Sequence, residues 1–239
     1  ADVVHPVAQL LRQHAGQPHV EVEVRLTTKE WSSDIGFGVQ DHLLTLCGEP
    51  ATDDALQFGP WAEMVDYFYT VDGSQVRSRV VYNADRYTAD TTTVSKQLLQ
   101  RCDIDAGATC VRVDAKRELP VDENTIPKAV ATTYVRIINR CSGICPSSNG
   151  QPLWRFDASV VWSGNTRSEA EQAQRSQAPM YSLELEYIGT ADDITERGAD
   201  YVACSGLLKA LHVGRLHQPE TTRCALRNLT AAPSRQAAP

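Results

Sequence analysis

Two short runs of alternating glutamates are the residues best placed to do chemistry: Glu21-Val22-Glu23-Val24-Arg25 near the start of the chain and Glu184-Leu185-Glu186-Tyr187 near its end. In a β-strand successive side chains point to opposite faces, so each run puts both carboxylates on one side and Val, Leu or Tyr on the other. Carboxylates grouped on an inward face repel one another and resist desolvation, and a cation relieves both penalties. For an all-oxygen donor set that cation is Mg²⁺ or Mn²⁺. One isolated run is ordinarily a half-exposed strand with a solvated acidic face. Two runs in one small domain, with basic strands between them, weigh against that reading.

Polar residues on the intervening stretches also fall on single alternating faces. Arg77 and Arg79 share one face, as do Arg112, Asp114, Lys116 and Glu118. So do Tyr134, Arg136, Ile138 and Arg140, and likewise Arg155, Asp157 and Ser159. On a lone antiparallel strand such a row usually faces solvent. Here the opposite faces are apolar, as in Val111, Val113 and Ala115 or Trp154, Phe156 and Ala158. If those faces pack against outer segments, the charged faces line an interior. A closed barrel of this kind holds a wet, polar lumen. Arginines and glutamates together there suit a phosphate chain and a divalent metal bound jointly, because guanidinium groups fork onto phosphate oxygens.

The elements that must position these residues are mostly strands. Asp2 to His14, with Val4, Val7, Leu10 and Leu11 at helical spacing, predicts an amphipathic helix ended by Gly16 and Pro18. Alternation begins at His19. Trp61 to Tyr69 fits a strand or a short helix, and Asp72-Gly73 marks a hairpin turn. Strands are predicted over Gln75 to Tyr82, Thr92 to Leu99, Thr109 to Val121, Thr133 to Asn139, Leu153 to Trp162 and Met180 to Ile188. About eight strands with little helix between them give a mostly β fold, expected to be an eight-stranded antiparallel barrel with flanking helices at both ends. Ser163 to Ala178 is polar and expected to be a mobile loop, Asp192 to Leu216 a helix with Leu207, Leu208, Leu211 and Leu216 on one stripe, and Ala231 to Pro239 a disordered tail. A single domain over residues 1–230 follows.

Composition narrows the function. A net charge of −7 over 239 residues excludes a general nucleic-acid binder, which would show a basic excess. No apolar run reaches the ~20 residues of a membrane span and no signal peptide opens the sequence, so a soluble intracellular protein is expected. The seven cysteines are irregularly spaced, which favours free thiols over a disulfide framework. Cys141 and Cys145 lack a second ligand pair and read as buried thiols rather than a metal site. Asn228-Leu229-Thr230 would matter only in a secreted chain.

Taken together, these residues resemble the fungal and protozoal RNA 5′-triphosphatases of mRNA capping, within the triphosphate tunnel metalloenzymes, over roughly Val20 to Ile188. The resemblance implies an eight-stranded tunnel with Glu-x-Glu strands at both ends. Glu21 and Glu23 match the first metal-binding motif, and Arg79 in Arg-Val-Val-Tyr-Asn best matches the arginine that touches the γ-phosphate, with Arg77 on the same face. Lys96 resembles a tunnel lysine, while Arg112 and Glu118 match a basic residue and a supporting glutamate. Arg136 and Arg140 match the outer members of an Arg-x-Lys-x-Arg strand, and Arg155, Asp157 and Ser159 a basic, acidic, hydroxyl row. Glu184 and Glu186 match the last two of three alternating glutamates. Two positions depart from the pattern: Ile138 stands where a phosphate-binding lysine is found, and Ser182 where the first glutamate of the second motif would be. Lys116 or Arg112 is the expected compensating cation.

The activity implied is metal-dependent hydrolysis of the γ-phosphate of a 5′-triphosphate RNA end. Glu21, Glu23 and Glu186 would hold Mn²⁺ or Mg²⁺. Arg79, Arg136 and Arg140 would bind phosphate oxygens, assisted by Arg77, Lys96, Arg112, Lys116 and Arg155, and Glu184, with Glu118 or Asp157, would position the attacking water. Alternatives are hydrolysis of inorganic tripolyphosphate or a nucleoside triphosphate on the same barrel, and a non-catalytic anion-binding barrel. Arg25 at the fifth position of the first motif favours the capping branch, since related small-triphosphate hydrolases carry lysine there. Because the chain has no guanylyltransferase lysine motif, that partner activity would lie on another chain or an absent domain. Nuclear residence follows from the function alone.

Overall fold

The computed structural model describes residues 4–28, 30, 32–36, 57–82, 89–105, 110–126, 130–146 and 152–203. Eight antiparallel strands close on themselves. They are β1 (Val20–Thr27), β3 (Ala62–Val71), β4 (Ser74–Tyr82), β5 (Ala89–Asp105), β6 (Cys110–Pro120), β7 (Thr132–Pro146), β8 (Pro152–Gly164) and β9 (Met180–Tyr187). A two-residue strand, β2 (Gln57–Phe58), extends the sheet along β7. The order runs β7-β3-β4-β5-β6-β1-β9-β8, and pairing of β8 with β7 closes the barrel, so none of these strands is left as an open edge. The segment 61–69, ambiguous as a sequence, is strand. The Asp72-Gly73 turn has φ of 49° and 77°, the doubly left-handed backbone that a tight two-residue hairpin demands and Gly tolerates.

The main apolar core lies outside the barrel, and this inversion frees the lumen for charge. Helix α1 (Val4–His14) buries Val7, Ala8, Leu10 and Leu11. They pack against Val22, Val24 and Leu26 of β1, Val111, Val113 and Ala115 of β6, Phe156 and Ala158 of β8, and Leu183 and Leu185 of β9. Burying a Leu or Val side chain contributes about 1.5–3 kcal/mol, so this layer fixes the outward faces and, by the two-residue period, the inward ones. Trp154 donates its indole N–H to the Val202 carbonyl at 3.0 Å and meets the Tyr187 ring edge-on at 5.4 Å, tying the segment after β9 to the same layer. Gly16 ends α1 at φ 80°, where a Cβ would sit 2.6 Å from the Ala191 Cβ.

A second helix, α2 (Arg167–Ser176), occupies the stretch expected to be a loop. Its sequence is poor in apolar residues, but Ala170 and Ala173 are buried, and Ala170 seats on the Val65, Val135 and Ile137 face of β3 and β7. The Thr166 hydroxyl accepts from the Glu169 N–H, an N-cap signal that a hydrophobicity reading passes over. The third helix, α3 (Ala191–Arg197), is capped by reciprocal Thr190 and Asp193 bonds. It ends at Gly198 rather than continuing unbroken toward residue 216, and a further helical stretch follows over 199–203. Leu207, Leu208, Leu211 and Leu216 and the tail lie outside the described residues. Cys102, Cys110 and Cys141 are not disulfide-bonded, and the Cys145 side chain also lies outside the described set. Among the described residues no helix is long and apolar enough to cross a membrane.

Candidate active site

The inward faces enclose a cavity of about 430 Å³, large enough for a small polyphosphate. Thirteen of the fourteen residues singled out from the sequence line it: Glu21, Glu23, Arg77, Arg79, Lys96, Lys116, Glu118, Arg136, Arg140, Arg155, Asp157, Glu184 and Glu186. Arg112 does not. It continues the same face of β6, but its guanidinium forks onto Asp103 of β5 at 2.8 and 3.1 Å outside the cavity lining. Strand alternation placed it on the correct face without revealing how far along the barrel that face stays enclosed.

The glutamate runs meet because β1 and β9 are neighbours. Glu23 lies directly opposite Glu186, and Arg25 opposite Glu184. Glu23 accepts from Arg25 at 2.6 Å and from Lys116 at 3.0 Å, while Glu186 pairs with Arg155. Burial, joined by the nearby carboxylates Glu21, Asp157 and Glu23, lifts Glu186 to about 7 even against the pull of Arg155. Glu184 behaves oppositely. Arg25 at 2.6 Å and Arg140 at 3.7 Å outweigh burial and hold its carboxyl well below the usual range. The two carboxylates of one motif thus face different fields: Glu184 is neutralised by arginines, whereas Glu186 sits in surplus negative charge.

Across the lumen the imbalance is reversed. Arg79 forks onto Asp66 at 2.7 and 2.9 Å, and Arg136 donates to the same carboxylate at 2.8 Å. Asp66 is fully buried, and these cations, with Arg77, hold it at about 2 against burial. Burial and repulsion from Arg79 and Arg136 pull Arg77 down to about 10, still protonated at neutral pH. Lys96 is drawn to about 8 by burial, with Arg77 and Lys116 repelling it, although it contacts Glu118. The Nε groups of Arg25, Arg77 and Arg136 are buried with no hydrogen-bond partner. Buried donors without acceptors fit an anionic ligand.

Asp66 was missed in the sequence because its segment did not declare itself strand. Given strand, Met64, Asp66, Phe68 and Thr70 share the inward face, and the acid follows. Arg25 and Arg101 also line the cavity, Arg101 forked onto the buried Asp114 at 2.7 and 3.0 Å. Of the two cations expected to compensate for Ile138, Lys116 lines the cavity and pairs with Glu23 and Asp114, whereas Arg112 pairs with Asp103 outside the lining. Ile138 itself is buried between Met64 of β3 and Val161 of β8, its ladder partners on either side, so the departure is absorbed by apolar packing. Ser182 lies opposite Ser159, whose hydroxyl accepts from Arg140 at 3.0 Å.

Among the described residues no three acidic, histidine or cysteine side chains converge on one point as a bound metal requires. The donors nevertheless fit a hard divalent cation in kind and charge. Glu21, Glu23 and Glu186 are all-oxygen groups in adjoining positions, and burial together with the neighbouring carboxylates raises Glu186, a penalty that a bound cation would relieve.

The chain is a closed antiparallel barrel, a tunnel walled outside by its own core and lined inside with opposed arginines and glutamates. Solved structures bear this out. The chain is similar to the S. pombe Pct1 RNA triphosphatase (TM-score 0.57, 15% identity, covering 96% of this chain and 92% of that one). A second structure of that protein, in complex with the Spt5 CTD, gives TM-score 0.56 at 16% identity over 96% and 93%. The RNA triphosphatase domain of a trifunctional mimivirus mRNA capping enzyme gives TM-score 0.59 at 15% identity over 90% and 96%. No family model and no curated protein matches the sequence. The chain therefore has the fold of the tunnel RNA triphosphatases at a sequence distance that leaves activity to be argued from the site.

Proposed function

We propose that the chain hydrolyses the γ-phosphate of 5′-triphosphate RNA ends, giving a diphosphate end and inorganic phosphate, the first step of cap formation. The division of charge across one lumen carries this reading. An anion alone would satisfy the wall of Arg77, Arg79, Lys96 and Arg136, and a cation alone the Glu21, Glu23 and Glu186 side. A triphosphate bound with a divalent cation satisfies both.

Glu21, Glu23 and Glu186 would hold that cation, Mn²⁺ or Mg²⁺. When bound it supplies charge neutralisation at the γ-phosphate. Arg77, Arg79, Arg136 and Arg140 direct donors at the phosphate oxygens, with Lys96, Lys116 and Arg155 around them, and such charge stabilisation is the main resource for phosphoryl transfer. Asp66 fixes Arg79 and Arg136 relative to each other. Asp157 does the same for Arg140 at 3.1 Å and Arg155 at 3.3 Å, and Glu118 for Arg77 and Lys96. Glu184, held ionised, accepts a hydrogen bond from the attacking water and aligns it. The neighbours' names favour an RNA end over a small triphosphate. A separate guanylyltransferase, a partner like the Spt5 CTD bound by one neighbour, and nuclear residence belong to the same reading.

Phosphate release from triphosphate-ended RNA, tripolyphosphate and nucleoside triphosphates, each with and without Mn²⁺, tests this. Mn²⁺-dependent release from RNA is expected, and it should vanish in Glu21→Ala while circular dichroism stays native. Release from tripolyphosphate alone would reassign the substrate. No release from any substrate would leave an anion-binding barrel, and full activity in Glu21→Ala would remove the metal assignment.

A further inference from the structure

One end of the inward faces carries side chains that neither charge nor core packing explains. Tyr134 on β7 shares the inward face of Arg136 and Arg140, yet it is 37% exposed. It lies across the ladder from Phe68 of β3, with ring centroids 5.8 Å apart at 47°. Phe68 itself lines the cavity and is nearly buried, and the Arg136 guanidinium covers its ring at 4.7 Å. Leu98 of β5, also a cavity-lining residue, is 48% exposed. Exposed aromatic and aliphatic surface beside a highly charged cavity is the informative kind of exposure.

We infer that Phe68 and Tyr134 form a stacking platform for the first nucleobase of the substrate, with Leu98 giving further apolar contact; this rests on the triphosphate reading above and deepens it. Arg136 joins the two parts of the site. Its Nη2 is held by Asp66 in the cationic wall, its face lies over Phe68, and its Nε is buried without a partner. A phosphate chain seated on that wall would leave its nucleoside beside the exposed Tyr134 ring. Aromatic stacking takes any base, so the platform selects a nucleotide-bearing triphosphate over an inorganic one without reading sequence.

Equilibrium binding tests this independently of turnover. Fluorescence anisotropy of a labelled 5′-triphosphate RNA gives its Kd, and competition gives that of inorganic tripolyphosphate. In Tyr134→Ala the RNA Kd should rise about tenfold, within the range for losing one base–aromatic stack. Tripolyphosphate affinity should stay within about twofold, and Tyr134→Phe should restore RNA binding, because the ring and not the hydroxyl carries the contact. Equal weakening of both ligands, or no change for RNA, overturns the platform while leaving the triphosphatase reading intact. Wild-type protein that binds neither ligand and releases no phosphate overturns both.

Discussion

Replacing Asp66 with Asn should destabilise the protein strongly. The carboxylate is fully buried and makes three charge-assisted hydrogen bonds, two from Arg79 and one from Arg136. Holding it at about 2 rather than its ordinary 3.8 corresponds to roughly 2.5 kcal/mol in favour of the ionised form. The amide loses that charge and also turns an N–H₂ toward a guanidinium, leaving a buried donor unmatched at a further cost of about 1–3 kcal/mol. A loss of roughly 3–5 kcal/mol results, in line with breaking one partner out of a buried ion pair. Urea unfolding at neutral pH measures it. The pH dependence follows from the sign of the shift: the folded carboxyl is depressed, so its contribution is complete above about pH 4 and fades as pH falls toward 2. The gap between wild type and Asp66→Asn should therefore narrow by up to about 2.5 kcal/mol over that acid window. A gap below about 1 kcal/mol at neutral pH, or one that does not change on acidification, would refute the clamp.

Two further outcomes separate lumen from surroundings. With Lys96 drawn to about 8, tripolyphosphate affinity should weaken as pH rises above about 8, because the anion favours the ammonium form. Lys96→Arg should flatten that limb in a calorimetric titration, and an unchanged limb would show that another group titrates. Arg112→Ala should leave phosphate release within about threefold and stability within roughly 1 kcal/mol, since its Asp103 pair lies outside the cavity. A loss of a hundredfold would return Arg112 to the site.

The two-residue period of a strand assigns most lumen residues to a face before any coordinate is known, which is why Glu21, Arg79, Arg136 and Glu186 could all be placed on one from spacing. The departure at Ile138 shows only against the pattern of the family that the residues resemble. What alternation cannot supply is which strands adjoin. Glu23 opposite Glu186 and Asp66 opposite both Arg79 and Arg136 are facts of barrel order and register, set by contacts between residues far apart in the chain. Helix α2 was hidden for a different reason. Its buried face consists of alanines, whose small area gives little hydrophobic signal, and only the Thr166–Glu169 cap marked its start.

From the sequence alone come the paired acidic strands, the basic rows between them and an apolar outside, and these suffice for a charged tunnel. Tertiary structure alone decided how that charge is distributed. Glu184 and Glu186 are chemically identical and two residues apart, yet one is held ionised by Arg25 and Arg140 while burial and nearby carboxylates raise the other despite its Arg155 partner. The field at each is a sum over neighbours that the chain brings together only on closing the barrel.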